Sequence, residues 1–257
     1  MVRGSPRILL FSIACVLVSP AVAGGDPGEV LSVPDVEHPK AFFWAMRTVI
    51  AEPPELLRLV DRGHGLDRDY EPDNLVELSE VEPHIQTTGR HRVTERTADS
   101  LSNMVNAARN DGVELVVSSA YRSFARQEAL HAYWIDELGE RLARALSAPA
   151  GHSQHQLGTT VDFAPVGRAF ENTPSDRWLR EHAWRYGFSL SYPEGYEELT
   201  GYNHESWHYR YVGTAASYVE QRFFAGIQQH MLEYLHEHRR ELERWTEHNS
   251  GDPANMR

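Results

Sequence analysis

Two short stretches carry side chains that could hold a metal ion and act on water. Residues 151–165, GHSQHQLGTTVDFAP, offer His155 and Asp162 on either side of Gly158. Residues 204–213, HESWHYRYVG, offer Glu205 three positions before His208. Two imidazoles and one carboxylate make a three-ligand zinc set with a fourth position left for water, the pattern of catalytic rather than structural zinc. Glu205 is then the base such a site needs for the water proton. Taken alone, either stretch reads more simply as a capping aspartate with surface histidines. Together they supply a complete ligand set and a base.

The spacing sets conditions on the fold. His155 and Asp162 are seven apart, an odd number, so on one regular strand they would point to opposite faces. They converge only if the chain turns between them, and Gly158 is the residue that permits it. Glu205 and His208, three apart, would likewise diverge on a strand, so Glu205 is expected on the turn before it. A third segment, SSAYRSFARQ at 118–127, places Arg122 between a strand and a helix. There it could grip a carboxylate or steady an oxyanion, or simply be a solvated arginine. There are 14 histidines, so a lone one means little. His152 and His204 are expected behind the site or exposed rather than as ligands. His236 and His238, two apart on a helix, point their rings apart.

The elements that must position these groups follow from periodicity. A helix is expected over 94–110, with Ala98, Leu101, Met104, Val105 and Ala108 on one face and Gly112 as its stop. Strands are expected at 113–118, 160–163, 188–192 and 207–212. A second helix is expected over 124–146, capped by Ser123, with Leu130, Trp134, Leu138, Leu142 and Leu146 as its buried stripe. A third covers 176–186 and ends at Gly187. Residues 41–60 predict a helix, a break at Pro53-Pro54 and a second short helix, and 61–78 a polar wrap. Residues 227–245 form an amphipathic tail helix, with Ile227, Met231, Tyr234, Leu235, His238, Leu242 and Trp245 on one side, expected to pack back on the domain.

The chain of 257 residues is 41% hydrophobic, enough for one sizeable core, and its net charge of −12 argues against nucleic acid or an anionic membrane as a default partner. Residues 1–23 read as a secretory signal: Arg3 and Arg7, an apolar run over 8–18, then Ala21-Val22-Ala23. The run is shorter than the about 20 apolar residues of a membrane span. The single cysteine, Cys15, lies within it, so the mature chain is expected to lack disulfides and thiolate ligands. Lipidation at Cys15 is the weaker alternative. The expected division is a signal at 1–23, an arm and lead-in at 24–90, a zinc peptidase domain at 91–226, and a C-terminal helix and tail at 227–257.

These segments together resemble the D-alanyl-D-alanine carboxypeptidases of the VanY type, part of a wider group of zinc peptidases with the lysostaphin-like enzymes and the hedgehog signalling domain. The family patterns S-x-Y-R-S-x-x-x-Q, S-x-H-x-x-G-x-x-x-D and E-x-W-H-x-R-x-V-G stand here at Ser119 to Gln127, Ser153 to Asp162 and Glu205 to Gly213. The similarity covers roughly residues 57–215, and Thr160 departs from the usual alanine. It implies an α+β fold, a small antiparallel sheet flanked by helices with zinc in a cleft. It implies that His155, Asp162 and His208 bind one zinc ion and that Glu205 is general base and then acid. Arg122 would stabilise the oxyanion or grip substrate, and Ser153 and Gln127 would help bind it. The implied activity is exported, zinc-dependent hydrolysis of the terminal D-alanyl-D-alanine bond of peptidoglycan stem peptides, with no transmembrane anchor. L,D-carboxypeptidase or endopeptidase action on stem peptides, a non-catalytic zinc-bearing wall-binding protein, and a helical envelope scaffold are the alternatives.

Overall fold

The computed structural model describes residues 39–248. The expected signal segment, Cys15 and residues 24–38 of the expected arm and lead-in lie outside the described residues. The described chain opens with helix α1 (Pro39–Ile50), then a 3-10 turn at Pro54–Leu57 after the Pro53-Pro54 break. The wrap that follows contains β1 (Leu75–Glu77), α2 (Leu78–Val81), β2 (Gln86–Thr87) and β3 (Arg92–Thr94), with β1 and β3 forming a small antiparallel ladder.

Helix α3 (Glu95–Asn110) buries Ala98, Leu101, Met104, Val105 and Ala108, the face its periodicity predicts. It stops at Gly112, whose φ of +76° suits glycine. The chain then runs through β4 (Val116–Ser119), α4 (Phe124–Leu138), α5 (Glu140–Leu146), β5 (Thr160–Phe163) and α6 (Pro174–His182). It continues through β6 (Phe188–Leu190), α7 (Glu197–Thr200), β7 (His208–Tyr211), α8 (Thr214–Phe223) and α9 (Gln228–His248).

The main sheet has five strands in the order β2-β4-β5-β7-β6. It is antiparallel except at its edge, where β2 runs parallel to β4. Alternation divides the two faces. Val161, Phe163, Tyr209 and Tyr211 join the main core with α3 and α8 residues. Asp162 and His208 lie on the other face, where Ser119, Asp162 and His208 stand abreast across β4, β5 and β7.

The lead-in and the tail helix belong to the same core. Phe42 of α1 meets Phe223 at 5.3 Å and Tyr234 of α9 at 5.5 Å, both edge-on. Arg239 of α9 donates to the carbonyls of Ile50, the last residue of α1, and of Glu52 just beyond it, which satisfies acceptors that a helix end leaves open. The tail thus packs back, with Met231, Leu235 and Leu242 buried. Buried Arg210 of β7 donates to the carbonyls of Leu56 and Arg58 and ties the lead-in to the sheet.

One expectation is corrected. The helix read over 124–146 breaks at Gly139, φ +77°, into α4 and α5. Its stripe is not a core stripe, since Leu142 is 45% and Leu146 46% exposed. The α4–α5 pair stands off the sheet and turns Leu130, Trp134 and Leu146 towards a cleft. Helical periodicity reports an apolar face but not whether protein or solvent-filled space lies against it. The expected strands are also shorter at their ends, and α8 closes the core where no helix was assigned.

Candidate active site

The first half of the site is a turn feeding a strand. Ser153 caps a 3-10 turn at Gln154–Leu157, its Oγ accepting from the His155 amide at 3.3 Å. Gly158 ends the turn in the left-handed region, φ +69°. The backbone there requires glycine, and a Cβ would also meet Leu75 Cδ2 at 2.8 Å and force that side chain to shift. The reversal brings His155 back over β5, and its Nε2 lies 3.1 Å from Asp162 Oδ2. Strand β7 supplies the second half. His208 pairs in register with Asp162, and its Nδ1 lies 3.1 Å from Asp162 Oδ1. Glu205 sits on the turn before β7, its amide donating to the Tyr192 carbonyl, and its Oε2 is 3.4 Å from His208 Nδ1.

The three side chains fit a metal ion. One donor atom from each of His155, Asp162 and His208 lies within 4.8 Å of the others, and all three residues are buried. Asp162 Oδ1 is a buried oxygen without a hydrogen bond, an orphan that a cation would satisfy. Both imidazoles are held from behind. His155 Nδ1 donates to the Ala120 carbonyl at 2.7 Å, and His208 Nε2 lies 3.2 Å from Gln154 Oε1. Each therefore presents its other nitrogen to Asp162, the arrangement of metal-ligating histidines.

The protonation states agree with ligation, which needs neutral imidazole and ionised carboxylate. Burial pushes His155 down to about 4, against the pull of Asp162. Burial opposes the charge on Asp162, yet His155 and His208 beside it hold its carboxyl far below the usual range. Glu205 is pushed up to about 7, mainly by burial and also by the Asp162 charge, with His208 and Arg122 opposing.

Arg122 approaches from the β4–α4 loop. Burial lowers its pKa, while Asp162 and Glu205 favour its charge. Its Nη1 donates to Gln127 Oε1 at 2.7 Å and its Nη2 to Ser119 Oγ at 3.1 Å. Gln127 is itself buried and donates onward to Ser147 Oγ and the Ala148 carbonyl, so its amide aims the guanidinium. Arg122, Ser153, Glu205 and the three candidate ligands all line one open cleft of about 1080 Å³, whose apolar wall includes Trp134.

His152 and His204 stand outside the ligand group. Each uses Nδ1 on a backbone carbonyl, that of Asp61 and of Tyr192 respectively. His236 packs on His64, and His238 bonds Glu241. Three residues close to the site escaped the reading of the sequence. Tyr192 packs its ring 4.7 Å from that of His208, and Gln154 and Ser191 lie behind the same imidazole. Gln154 could have been noticed from its place between Ser153 and His155, and Tyr192 from the Tyr192-Pro193 pair, a lesser match to the family pattern, whereas nothing in the local pattern marks Ser191.

Comparison with known proteins agrees with this geometry. The VanY family model, described as D-alanyl-D-alanine carboxypeptidase, matches residues 90–214. The solved vancomycin-resistance D,D-pentapeptidase VanY from a VanB-type cassette, in complex with Zn(II), is 30% identical, with 70% of this chain covering 99% of that one at a TM-score of 0.57. The chain belongs to the VanY family. The solved LdcB LD-carboxypeptidase structure is 32% identical over 70% of this chain and 87% of its own, with a TM-score of 0.64. The putative carboxypeptidase YodJ of Bacillus subtilis (strain 168) is 35% identical over 67% of this chain, which spans 65% of the length of that relative. The VanY match encloses Arg122, Ser153, His155, Asp162, Glu205 and His208, whereas α1 and α9 lie outside it. No helix among the described residues is long and apolar enough to cross a membrane.

Proposed function

We propose that this protein is an exported zinc carboxypeptidase that removes the terminal D-alanine from D-alanyl-D-alanine stem peptides of peptidoglycan. The observation that carries the reading is the buried trio His155, Asp162 and His208 with the Glu205 carboxylate 3.4 Å from His208, all opening on one cleft. The zinc found in the related VanY complex supports the choice of metal, and the signal-like segment supports export.

A zinc ion held by the trio would supply Lewis acidity and make water acidic enough to lose a proton near neutral pH. Glu205 takes that proton, its burial having raised its affinity for protons towards the working range. The same carboxyl then delivers the proton to the leaving D-alanine amine. Arg122, aimed by Gln127 and Ser119, meets the negative charge that develops on the scissile carbonyl oxygen or grips the terminal carboxylate. Ser153, at the cleft wall, offers a hydroxyl to that carboxylate. The cleft extends past these groups to Trp134, leaving room for the rest of the stem peptide.

The similarity to the LdcB LD-carboxypeptidase favours one second reading, cleavage of an L,D bond in an already trimmed stem. Both readings are tested by incubating the purified protein with defined pentapeptide and tetrapeptide stems, with and without a chelator. Chelator-sensitive release of D-alanine from the pentapeptide is expected. Release from the tetrapeptide alone would favour the second reading. Binding of wall material without any release would favour a non-catalytic wall-binding protein.

A further inference from the structure

We infer that the α4–α5 pair builds a subsite for a large apolar side chain on the residue that leaves, so that the site releases D-leucine and similar D-residues as well as D-alanine. The inference deepens the carboxypeptidase reading and rests on it. The cleft has two chemically different walls. Elements other than α4 and α5 bring charge to it, as Arg168, Glu171, Asp176, Arg180, Glu194 and Glu197. The wall from α4 and α5 carries Gln127, Leu130, Trp134 and Leu146 and no charged side chain. Leu130, Trp134 and Leu146 belong to none of the apolar cores among the described residues. Leu146 is exposed, and Leu130 and Trp134 are half-buried. Three large apolar groups thus face the space of the cleft rather than protein, as an apolar ligand surface does.

Helix geometry places this wall against the leaving residue. Gln127 Oε1 accepts from Arg122 Nη1 at 2.7 Å, so the inner face of α4 begins at that guanidinium. Leu130 and Trp134 follow at i+3 and i+7 on the same face, about 4.5 and about 10 Å further along the axis at about 1.5 Å per residue. With the terminal carboxylate on Ser153 and Arg122, the leaving residue lies beside the start of this face. A methyl group ends about 1.5 Å from its Cα and stays by Gln127. A branched or aromatic side chain spans the turn to Leu130 and Trp134, and apolar surface on both sides leaves water. The charged walls remain for the polar groups of the rest of the stem. The bond chemistry is the same for every leaving residue. Water adds its hydroxyl to the carbonyl carbon of the penultimate D-alanine, the amide C–N bond breaks, and the water proton reaches the leaving amine through Glu205.

The test uses the zinc-loaded full chain and pentapeptide stems that differ only in the terminal residue: D-alanine, D-leucine or D-asparagine, the last two alike in shape. Values of kcat and KM are measured for the wild type, Leu130→Ala, Trp134→Ala and Trp134→Phe, with zinc content as the check that each variant keeps its site. The wild type is expected to release D-leucine with a kcat/KM within about tenfold of that for D-alanine or above it, and about tenfold or more above that for D-asparagine, whose amide finds no partner on an apolar wall. Leu130→Ala and Trp134→Ala are each expected to lower the ratio of D-leucine to D-alanine kcat/KM by about tenfold, chiefly through KM. Trp134→Phe should keep most of that ratio. A wild type more than about tenfold poorer on D-leucine than on D-alanine would overturn the inference, and so would equal release of D-leucine and D-asparagine. An unchanged ratio in both alanine variants would overturn it too. If the wild type were then dimeric and Trp134→Ala monomeric by light scattering, the wall would belong to a second copy of the chain. Release of no terminal residue from any stem would instead remove the carboxypeptidase reading, and the inference with it.

Discussion

Asp162 and His208 face each other directly across the β5–β7 ladder, and each oxygen of that one carboxylate lies 3.1 Å from a different histidine, Oδ1 from His208 and Oδ2 from His155. Ladder register holds one histidine and the Gly158 reversal holds the other. Side chains fixed in this way lose little further freedom when they close on an ion.

Removing any of the three should therefore weaken metal binding more than removing a group behind them. His208→Ala and Asp162→Ala are each expected to lose more zinc affinity than the about 10–100-fold typical of a partner behind a ligand. Equilibrium dialysis with metal analysis measures this. Stoichiometric zinc in either variant would show that the trio is not the binding site.

In the proposed mechanism Glu205 moves protons and does not hold the ion. Glu205→Gln keeps the shape of the side chain but not its basicity. It should bind zinc as the wild type does while kcat falls by about 10²–10⁴-fold, the usual contribution of a positioned proton-transfer group. Metal content and D-alanine release on the same preparation separate the two effects. Undiminished turnover would remove the base assignment.

Arg122 and Gln127 differ in how they act. Arg122→Ala removes the charge that faces the cleft and should lower kcat by about 10²–10³-fold, as loss of an oxyanion donor does. Gln127→Leu leaves the guanidinium in place but removes the 2.7 Å acceptor that aims it. A smaller loss is expected, with zinc affinity unchanged. Equal losses in the two variants would mean that Gln127 touches substrate itself.

The convergence of His155, Asp162, His208 and Glu205 was legible in the chain because each sits in a short pattern whose spacing brings them together only with a turn at Gly158 and a turn before His208. The stripe of α3 was legible because a helix that covers a sheet has one unambiguous core face. The stripe of α4 and α5 misled for the same reason, because Leu142 and Leu146 present an apolar face with no core against it. Strands β1, β2 and β3 have two or three residues each, too few for alternation to show. The bond between Gln154 and Gln228 was invisible because the two lie 74 positions apart, and no local pattern records that contact.

Gly158→Ala tests the turn itself. The position needs φ +69°, and the added methyl would meet Leu75 Cδ2 at 2.8 Å and Pro72 Cγ and Thr94 Cγ2 at 3.2 Å. Backbone strain alone costs about 1–3 kcal/mol. Thermal unfolding should show the destabilisation, and zinc affinity should fall with it because His155 is carried by this turn. A variant with unchanged Tm and affinity would show that the reversal tolerates a side chain.

Glu220 of α8, outside the candidate ligand group, offers a pH test. It is 1% exposed, and burial pushes its carboxyl up from 4.5 to about 8, with Ser189 opposing. A carboxyl whose folded pKa is raised is protonated in the folded state and ionised in the unfolded chain between those values. The folded state then binds the extra proton, so its contribution to stability is fully present below about pH 4.5 and is lost as pH rises towards about 8. The loss approaches about 1.4 kcal/mol per pH unit within that window. Glu220→Gln stays neutral throughout. Denaturant unfolding should therefore find the two proteins similar near pH 4.5 and the variant more stable at pH 8, by a few kcal/mol. Parallel stability curves for wild type and variant across that range would show that Glu220 ionises in place and is solvated there.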